Sequence, residues 1–163
     1  MRAVLDEKYL LYNCKAFIKD DPVSFPHSFS RREDIEISAL LASVIAWGNR
    51  RMILSSGRKM FVDIMHSAPY DYVMGGEWEQ LDETCNIHRT FFARDFKYIC
   101  RGLKCIYAKY GTMEALFTGC TVWEGIENLR AELAAANGGA TTRHISNPVA
   151  QKGKPASACK RMH

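Results

Sequence analysis

The stretch that most constrains the fold runs from residue 35 to residue 47 and reads IEISALLASVIAW. As a helix it is apolar on nearly every side, and such a helix is buried by its neighbours on most sides. The preceding Ser-Arg-Arg-Glu of residues 30–33 matches a capping box, in which the Ser30 hydroxyl and the Glu33 carboxylate satisfy helix amides reciprocally. Gly48 suits the position just past a helix C-terminus. The sequence therefore predicts a central buried helix between Ser30 and Gly48.

The rest of the chain has the spacing of further helices. Apolar side chains recur at helical intervals in residues 4–16, 53–65, 96–110 and 123–133. Short helices are predicted for residues 69–75 and 112–117, and a second capping box for residues 121–124. Residues 22–29 are predicted to be a loop anchored by Phe25 and Phe29, and residues 77–89 to mix loop and helix. Without an alternating strand pattern or a hairpin dipeptide, we expect an all-α bundle of about seven helices.

Length and composition place the chain in one class. Its 163 residues suit a single helical domain, 1–163, and the 47% of hydrophobic residues is ample for a core. No apolar run reaches the roughly 18 residues that a membrane span needs. Asp6, Glu7 and Lys8 stand where a signal peptide would be apolar. We therefore expect a cytoplasmic protein with no membrane partner.

Metal and cofactor sites are not indicated. None of the six cysteines forms a Cys-x-x-Cys pair, and the five histidines lack metal-ligand spacing. Free cysteines acting as small core residues are the expected alternative. The chain also contains no catalytic-triad, phosphate-loop or dinucleotide-binding motif. The sequence thus predicts no metal and no cofactor.

The net charge of +4 comes from the end of the chain. Five of the 22 Lys and Arg residues follow Thr141, whereas all 18 Asp and Glu residues precede it. A basic segment of this kind indicates contact with a polyanion, but charge alone favours the simpler interpretation of a solvated basic terminus. Residues 137–163 are predicted to form a basic loop followed by the start of a further helical unit.

Three runs of sequence carry a resemblance to a known family. They are YNCKAFIKDDPVSFPHSFSRREDIEISALLASVIAWGNRR, the HRTF of residues 88–91, and the closing RHISNP and SACKR. In these runs the chain resembles an uncharacterised bacterial family, a domain of unknown function. The resemblance covers essentially the whole chain.

In the order of its elements the chain also resembles the helix-hairpin-helix DNA glycosylases. That resemblance implies a partner, duplex DNA, and matches Asn49 to a residue that probes the DNA. It matches residues 94–99 to the start of the middle helix, and Lys160 to the catalytic lysine. Residues in contact with DNA would be Asn49, Arg50, Arg51, Lys152, Gly153, Lys154 and Arg161.

The chemistry implied by this resemblance is base excision. A lysine amine attacks C1′ of the sugar of a flipped nucleotide, and a carboxylate steadies the developing positive charge. The sequence departs from the pattern because its hairpin has one glycine, Gly153. It also ends three residues after Lys160, before a downstream aspartate. The expectation is a fold incomplete at its C-terminus and a truncated chain with little catalytic activity.

Simpler interpretations remain open for each of these residues. Asn49 could be an ordinary polar residue after a helix end, and Arg50 and Arg51 a solvated helix face. Lys160 could belong to a frayed basic terminus. His144 is expected in a surface loop, and no chemistry is assigned to residues 88–91. The alternative function is a non-catalytic helical module that binds nucleic acid or serves as a protein scaffold.

Overall fold

The computed structural model of the protein describes residues 2–148. As predicted, this part of the chain is mainly helical, and its helices enclose one apolar core. The α-helices and strands of the described residues are α1 (Arg2–Tyr12), α2 (Lys15–Lys19), α3 (Arg32–Ile45), α4 (Arg50–Arg58), α5 (Pro69–Gly75), β1 (Asn86–His88), β2 (Phe91–Phe92), α6 (Ala93–Tyr110) and α7 (Val122–Ala135). A π-helical segment (Lys59–Ile64) follows α4, and short 3-10 helices occupy Pro22–Ser24, Pro26–Ser28, Glu77–Gln80 and Glu114–Phe117. No helix among residues 2–148 is long and apolar enough to cross a membrane.

Helix α3 is the central buried helix that the sequence predicts. Seven of its 14 residues are buried, and Ile37, Leu41 and Ile45 are fully so. The helix ends at Ile45, two residues before the predicted Trp47, and leaves residues 46–49 as a loop. Burial of large aliphatic side chains, each contributing roughly 1.5–3 kcal/mol, is what fixes α3 in the middle of the fold.

The capping box predicted at the start of α3 is wrong. The helix begins at Arg32, and no side chain caps it. The Arg31 guanidinium instead pairs with Asp71 Oδ1 at 2.8 Å and lies over the Tyr70 ring at 4.1 Å. The Asp34 carboxylate accepts a hydrogen bond from Tyr70 N at 2.8 Å. These contacts to α5 replace the local capping box.

The N-terminal helix is present but buries none of its apolar stripe. The predicted helix is divided at Asn13 and Cys14 into α1 and α2. No residue of α1 is buried, and Leu5, Tyr9 and Leu10 are 64%, 63% and 76% exposed. A helix of this length without tertiary contacts is only marginally stable in water. Because none of its apolar side chains is buried, α1 presents them as an apolar surface.

A short β-hairpin lies at the end of the region predicted to mix loop and helix, and the sequence pattern does not indicate it. Strands β1 and β2 pair antiparallel through Asn86 with Phe92 and His88 with Phe91. Three and two residues are too few to show an alternating pattern. The turn is closed without glycine, because Arg89 adopts a positive φ of 51°.

Helix α6 confirms its predicted stripe as far as Tyr107. In α7 the predicted Ile126, Leu129 and Leu133 are buried, whereas Trp123 is 47% exposed. Ile99, Cys100 and Leu103 of α6 are fully buried, and Gly111 ends the helix in the left-handed conformation. The second capping box is confirmed: Thr121 N donates to Glu124 Oε2 at 2.7 Å, and Glu124 N donates to Thr121 Oγ1 at 3.3 Å.

Helix α4 and the π-helical segment bury the predicted face against the core. Met60, Phe61 and Met65 are almost fully buried. Phe25, predicted as a loop anchor, is buried with its ring centroid 4.9 Å from that of Phe61, and the second anchor, Phe29, packs at 6.3 Å from the same ring. The loop of residues 22–29 is thereby fixed over α4.

Glu36 joins α3 to the turn that follows α6. Its carboxylate accepts hydrogen bonds from Tyr107 Oη at 2.8 Å, Thr112 Oγ1 at 2.6 Å and Met113 N at 2.9 Å. Burial would raise the pKa of Glu36. The hydrogen bonds outweigh burial, and the pKa of Glu36 is lowered below its ordinary value of 4.5.

We expect Glu36→Gln to destabilise the protein by about 1–3 kcal/mol at pH 7, because an amide cannot accept from all of these donors. The lowered pKa means that Glu36 stabilises the fold fully above its unfolded value of 4.5 and loses this effect as the pH falls through its folded value. Urea unfolding at several pH values measures the difference between the two proteins. A difference that stays constant from pH 7 down to pH 3 would contradict the assignment.

Candidate nucleic-acid interface

The loop between α3 and α4 forms one wall of the candidate site. The Trp47 side chain is half-buried, and Asn49 is the N-cap of α4. Asn49 Oδ1 accepts hydrogen bonds from Arg51 N at 3.0 Å and Met52 N at 3.4 Å. The Asn49 side chain therefore fixes the direction in which α4 leaves the loop.

His88 holds this loop from the β-hairpin. The imidazole is buried, with Nε2 3.0 Å from Trp47 O and Nδ1 3.0 Å from Ser56 Oγ. Because a carbonyl can only accept, Nε2 carries the proton, and a neutral ring can then accept from the Ser56 hydroxyl at Nδ1. His88 thus ties the hairpin to both the loop and α4.

Arg89 extends from the hairpin turn over Trp47. Its guanidinium lies 4.7 Å from the Trp47 ring, and its backbone φ of 51° is stabilised by a 2.6 Å hydrogen bond from Asn86 Nδ2 to Arg89 O. Gly48 allows this approach, since a Cβ at that position would lie 2.7 Å from Arg89 Nη1, and its φ of 107° also favours glycine. A non-glycine residue held at positive φ costs of order 1 kcal/mol and is typical of functional sites.

The segment after α7 forms the second wall. Arg130 Nη1 of α7 donates to Ile145 O at 2.7 Å, and the Ile145 side chain is buried in the core. His144 is buried with its ring edge-on to Phe91, at a centroid distance of 5.1 Å. These contacts hold the exposed Arg143 beside the hairpin.

The loop, the hairpin turn and this segment enclose a shallow cavity of about 370 Å³, lined by Trp47, Thr90, Arg143 and His144. We call these four residues, with Arg89, the Trp47 surface. Each comes from one of the three runs AWGN, HRTF and RHISNP, which are far apart in sequence. The fold therefore brings the three idiosyncratic motifs of the chain together at one cavity.

The Trp47 surface is positively charged. Arg89 and Arg143 are exposed cations, and Arg51 is exposed in the first turn of the neighbouring α4. The amide dipoles at the N-terminus of α4 add partial positive charge next to them. Chemically, guanidinium groups beside a half-exposed aromatic ring suit an anionic ligand that also offers flat apolar surface.

Of the residues that the resemblance grouped as DNA contacts, the structure describes Asn49, Arg50 and Arg51, and all three are exposed. Asn49 Oδ1 caps α4. Arg50 also pairs with Asp21 Oδ2 at 3.7 Å and lies over Phe17. The remaining predicted residues, Lys152, Gly153, Lys154, Lys160 and Arg161, lie outside the described part of the chain.

Three residues of the site were not identified from the sequence. His88 and Arg89 belong to the HRTF motif, to which the sequence assigned no chemistry. Arg143 was considered only as one of the basic residues of the tail. The expectation that His144 is a surface residue is wrong, because it is 7% exposed and packs on Phe91. The unusual composition of each motif was a signal, but their meeting at one cavity follows only from the tertiary fold.

We expect His88→Ala to lower stability by about 1–3 kcal/mol, because Trp47 O and Ser56 Oγ lose a buried partner. Loosening of the loop should also shift the fluorescence emission of Trp47 to the red. Thermal unfolding and emission spectra measure both effects. His27→Ala, at an exposed histidine of the loop before α3, serves as the control and should change neither. Unchanged stability in His88→Ala would contradict the role assigned to this side chain.

Comparison with known proteins places the chain in a family. Residues 21–163 match the model of a family described as a protein of unknown function, DUF2400. The chain belongs to this family. No curated protein and no solved structure matches it. All three motifs of the Trp47 surface lie within the part matched by the DUF2400 model, whereas α1 precedes it. Among residues 2–148, no group of three or more His, Cys, Asp or Glu side chains could hold a metal ion.

Proposed function

We propose that the Trp47 surface binds duplex DNA. The observation that carries the proposal is the placement of two exposed arginines, Arg89 and Arg143, beside one cavity of about 370 Å³. Guanidinium groups bind DNA phosphates. Trp47, partly covered by Arg89, offers an aromatic surface against which a sugar or base can pack.

The charges around this surface support the proposal. Asp95, the carboxylate nearest to His144, also accepts a hydrogen bond from Phe92 N at 3.1 Å. Asp21 is paired with Arg50. Both acidic groups are therefore engaged within the protein. The chain continues from Arg143 into the basic residues of 152–161, which we propose add further phosphate contacts.

The resemblance to helix-hairpin-helix DNA glycosylases supports a more specific proposal. We infer that the fold is related to that of these enzymes and that the intact family performs base excision. Lys160 would be the nucleophile that attacks C1′ of the sugar and expels the base. Borohydride trapping on abasic-site DNA tests this step. In a family member that also carries the downstream carboxylate, we expect a covalent adduct that disappears when the lysine matching Lys160 is replaced by Gln. An adduct that persists in that variant excludes this lysine as the nucleophile.

Salt dependence of binding tests the DNA proposal separately from the chemistry. We expect a fluorescent 20-base-pair duplex to bind, with log K falling linearly against log salt at a slope of about −2 to −4, as for a few phosphate contacts. Polyglutamate of matched charge should displace the duplex poorly, because a flexible polyanion does not present phosphates in the geometry of a duplex. Failure to bind at 50 mM salt, or binding that does not change with salt, would contradict the proposal.

A second candidate function is a scaffold that binds a protein partner. It is favoured by α1, whose Leu5, Tyr9 and Leu10 are each more than 60% exposed. Exposed apolar residues in one helix are typical of a protein-contact surface. Deleting residues 2–12 should then lower binding of the dye ANS and leave DNA binding unchanged, which separates the two functions. ANS binding that survives the deletion would remove the support for the scaffold.

A further inference from the structure

His144 is a buried histidine paired with a carboxylate. Its Nε2 lies 3.6 Å from Asp95 Oδ1, and the His144 and Asp95 side chains are 6% and 19% exposed. Asp95 also lies in the first turn of α6, where its Oδ2 accepts a hydrogen bond from Phe92 N at 3.1 Å. The pair therefore connects the segment after α7 to the rigid N-terminus of α6.

This connection lies directly beside Arg143. His144 is the next residue in the chain, and both side chains line the cavity of the Trp47 surface. On the other side of His144, Arg130 of α7 holds the carbonyls of Ile145 at 2.7 Å and Ser146 at 3.3 Å. Those bonds fix the backbone after His144, whereas the Asp95 carboxylate, 3.6 Å from Nε2, is within ion-pair distance of a protonated ring.

We propose that the His144–Asp95 pair positions Arg143 on the Trp47 surface, so that protonation of His144 strengthens DNA binding. The proposal rests on the proposed function of that surface, and it identifies His144 as a positioning residue. A protonated imidazole donates to the carboxylate at Nε2 and gains an ionic attraction. A neutral imidazole has one N–H, which need not face Asp95.

Among residues 2–148, the charged and titratable groups on the elements near His144 set the sign of the effect. Asp95 and Arg94 lie on α6, His88 and Arg89 in the hairpin, Arg130 on α7, and Arg143 in the same segment as His144. The Asp95 carboxylate would stabilise a positively charged His144 ring, and the arginine guanidinium groups would destabilise it. Bound DNA phosphate would offset the arginine charges. By linkage, DNA and the proton on His144 then favour each other's binding.

The test is DNA affinity measured at constant ionic strength from pH 5.5 to pH 8. We expect the affinity of the wild-type protein to fall about five- to tenfold across this range and that of His144→Gln to change less than twofold. His27→Gln removes an exposed histidine elsewhere and should keep the full pH dependence. A pH dependence that His144→Gln retains would overturn the proposal.

Asp95→Asn supplies a second variant, since an amide oxygen can still accept from Phe92 N while the charge is lost. It should flatten the pH profile as His144→Gln does, and the double variant should add nothing further. Independent effects of the two substitutions would overturn the pairing.

A readout without DNA separates this proposal from the proposed function. When the pH of the wild-type protein is varied, the backbone amide NMR shifts of Arg143 and Ile145 should change with the same midpoint as the ring resonances of His144. If they do and DNA does not bind at any pH, the positioning role stands and the DNA proposal fails. If DNA binds and these shifts do not follow the titration of His144, the positioning role is wrong.

Discussion

Replacing both exposed arginines of the Trp47 surface, as Arg89→Gln with Arg143→Gln, should weaken duplex binding by about 100-fold. Each guanidinium is expected to make a charge-assisted bond to phosphate worth about 1.5 kcal/mol, which is roughly tenfold in affinity. The loss should be similar for every DNA sequence, and the salt slope should become shallower by about two. Fluorescence anisotropy at several salt concentrations measures both quantities.

The matched control removes two charges elsewhere. Arg2 and Lys19 are exposed in α1 and α2, before the part of the chain matched by the DUF2400 model. Arg2→Gln with Lys19→Gln lowers the net charge by the same amount but should change affinity less than threefold, because neither side chain belongs to the Trp47 surface. Equal losses in the two double variants would show that net charge, and not the Trp47 surface, determines binding.

The second large effect is on stability, at the contact between α6 and α7. A Cβ on Gly102 would lie 2.2 Å from Leu133 Cδ2 and 3.0 Å from Leu133 Cα. The backbone of α7 cannot move away without opening the core. We therefore expect Gly102→Ala to destabilise the protein by about 2–3 kcal/mol, although alanine is the better helix former. Urea unfolding measures the change in the free energy of unfolding.

Gly75 is the matched control, because a Cβ at this glycine meets no backbone or core side chain. It is the last residue of α5, and a Cβ there would meet only Glu77 Oε1, at 3.9 Å. Gly75→Ala should leave stability unchanged or raise it by about 0.5 kcal/mol through the unfolded state. If Gly102→Ala were as stable as Gly75→Ala, the close packing of α6 on α7 would be contradicted.

Much of the helical fold follows from local pattern. The stripes of α3, α4 and α6 were predictable because burying one face requires apolar residues at helical spacing. The capping box of Thr121 and Glu124 was predictable because both partners lie within one turn. These features depend on residues that are close in sequence.

The errors arise where distant residues decide the local structure. The start of α3 is set by the bond of Arg31 to Asp71, 40 residues away, and that of Asp34 to Tyr70, 36 residues away. The same holds for the candidate site. Its motifs were noticed as unusual, but His88 acts on Trp47, 41 residues before it, and that contact leaves no local signal.

The most direct test of the central claim is hydrogen exchange of the protein with and without a saturating 20-base-pair duplex. We predict that DNA slows exchange in residues 46–51, 88–91 and 142–146, which form and flank the Trp47 surface. Exchange in α1 and α7 should not change. Protection confined to α1, or spread evenly over the protein, would contradict the claim that the Trp47 surface binds DNA.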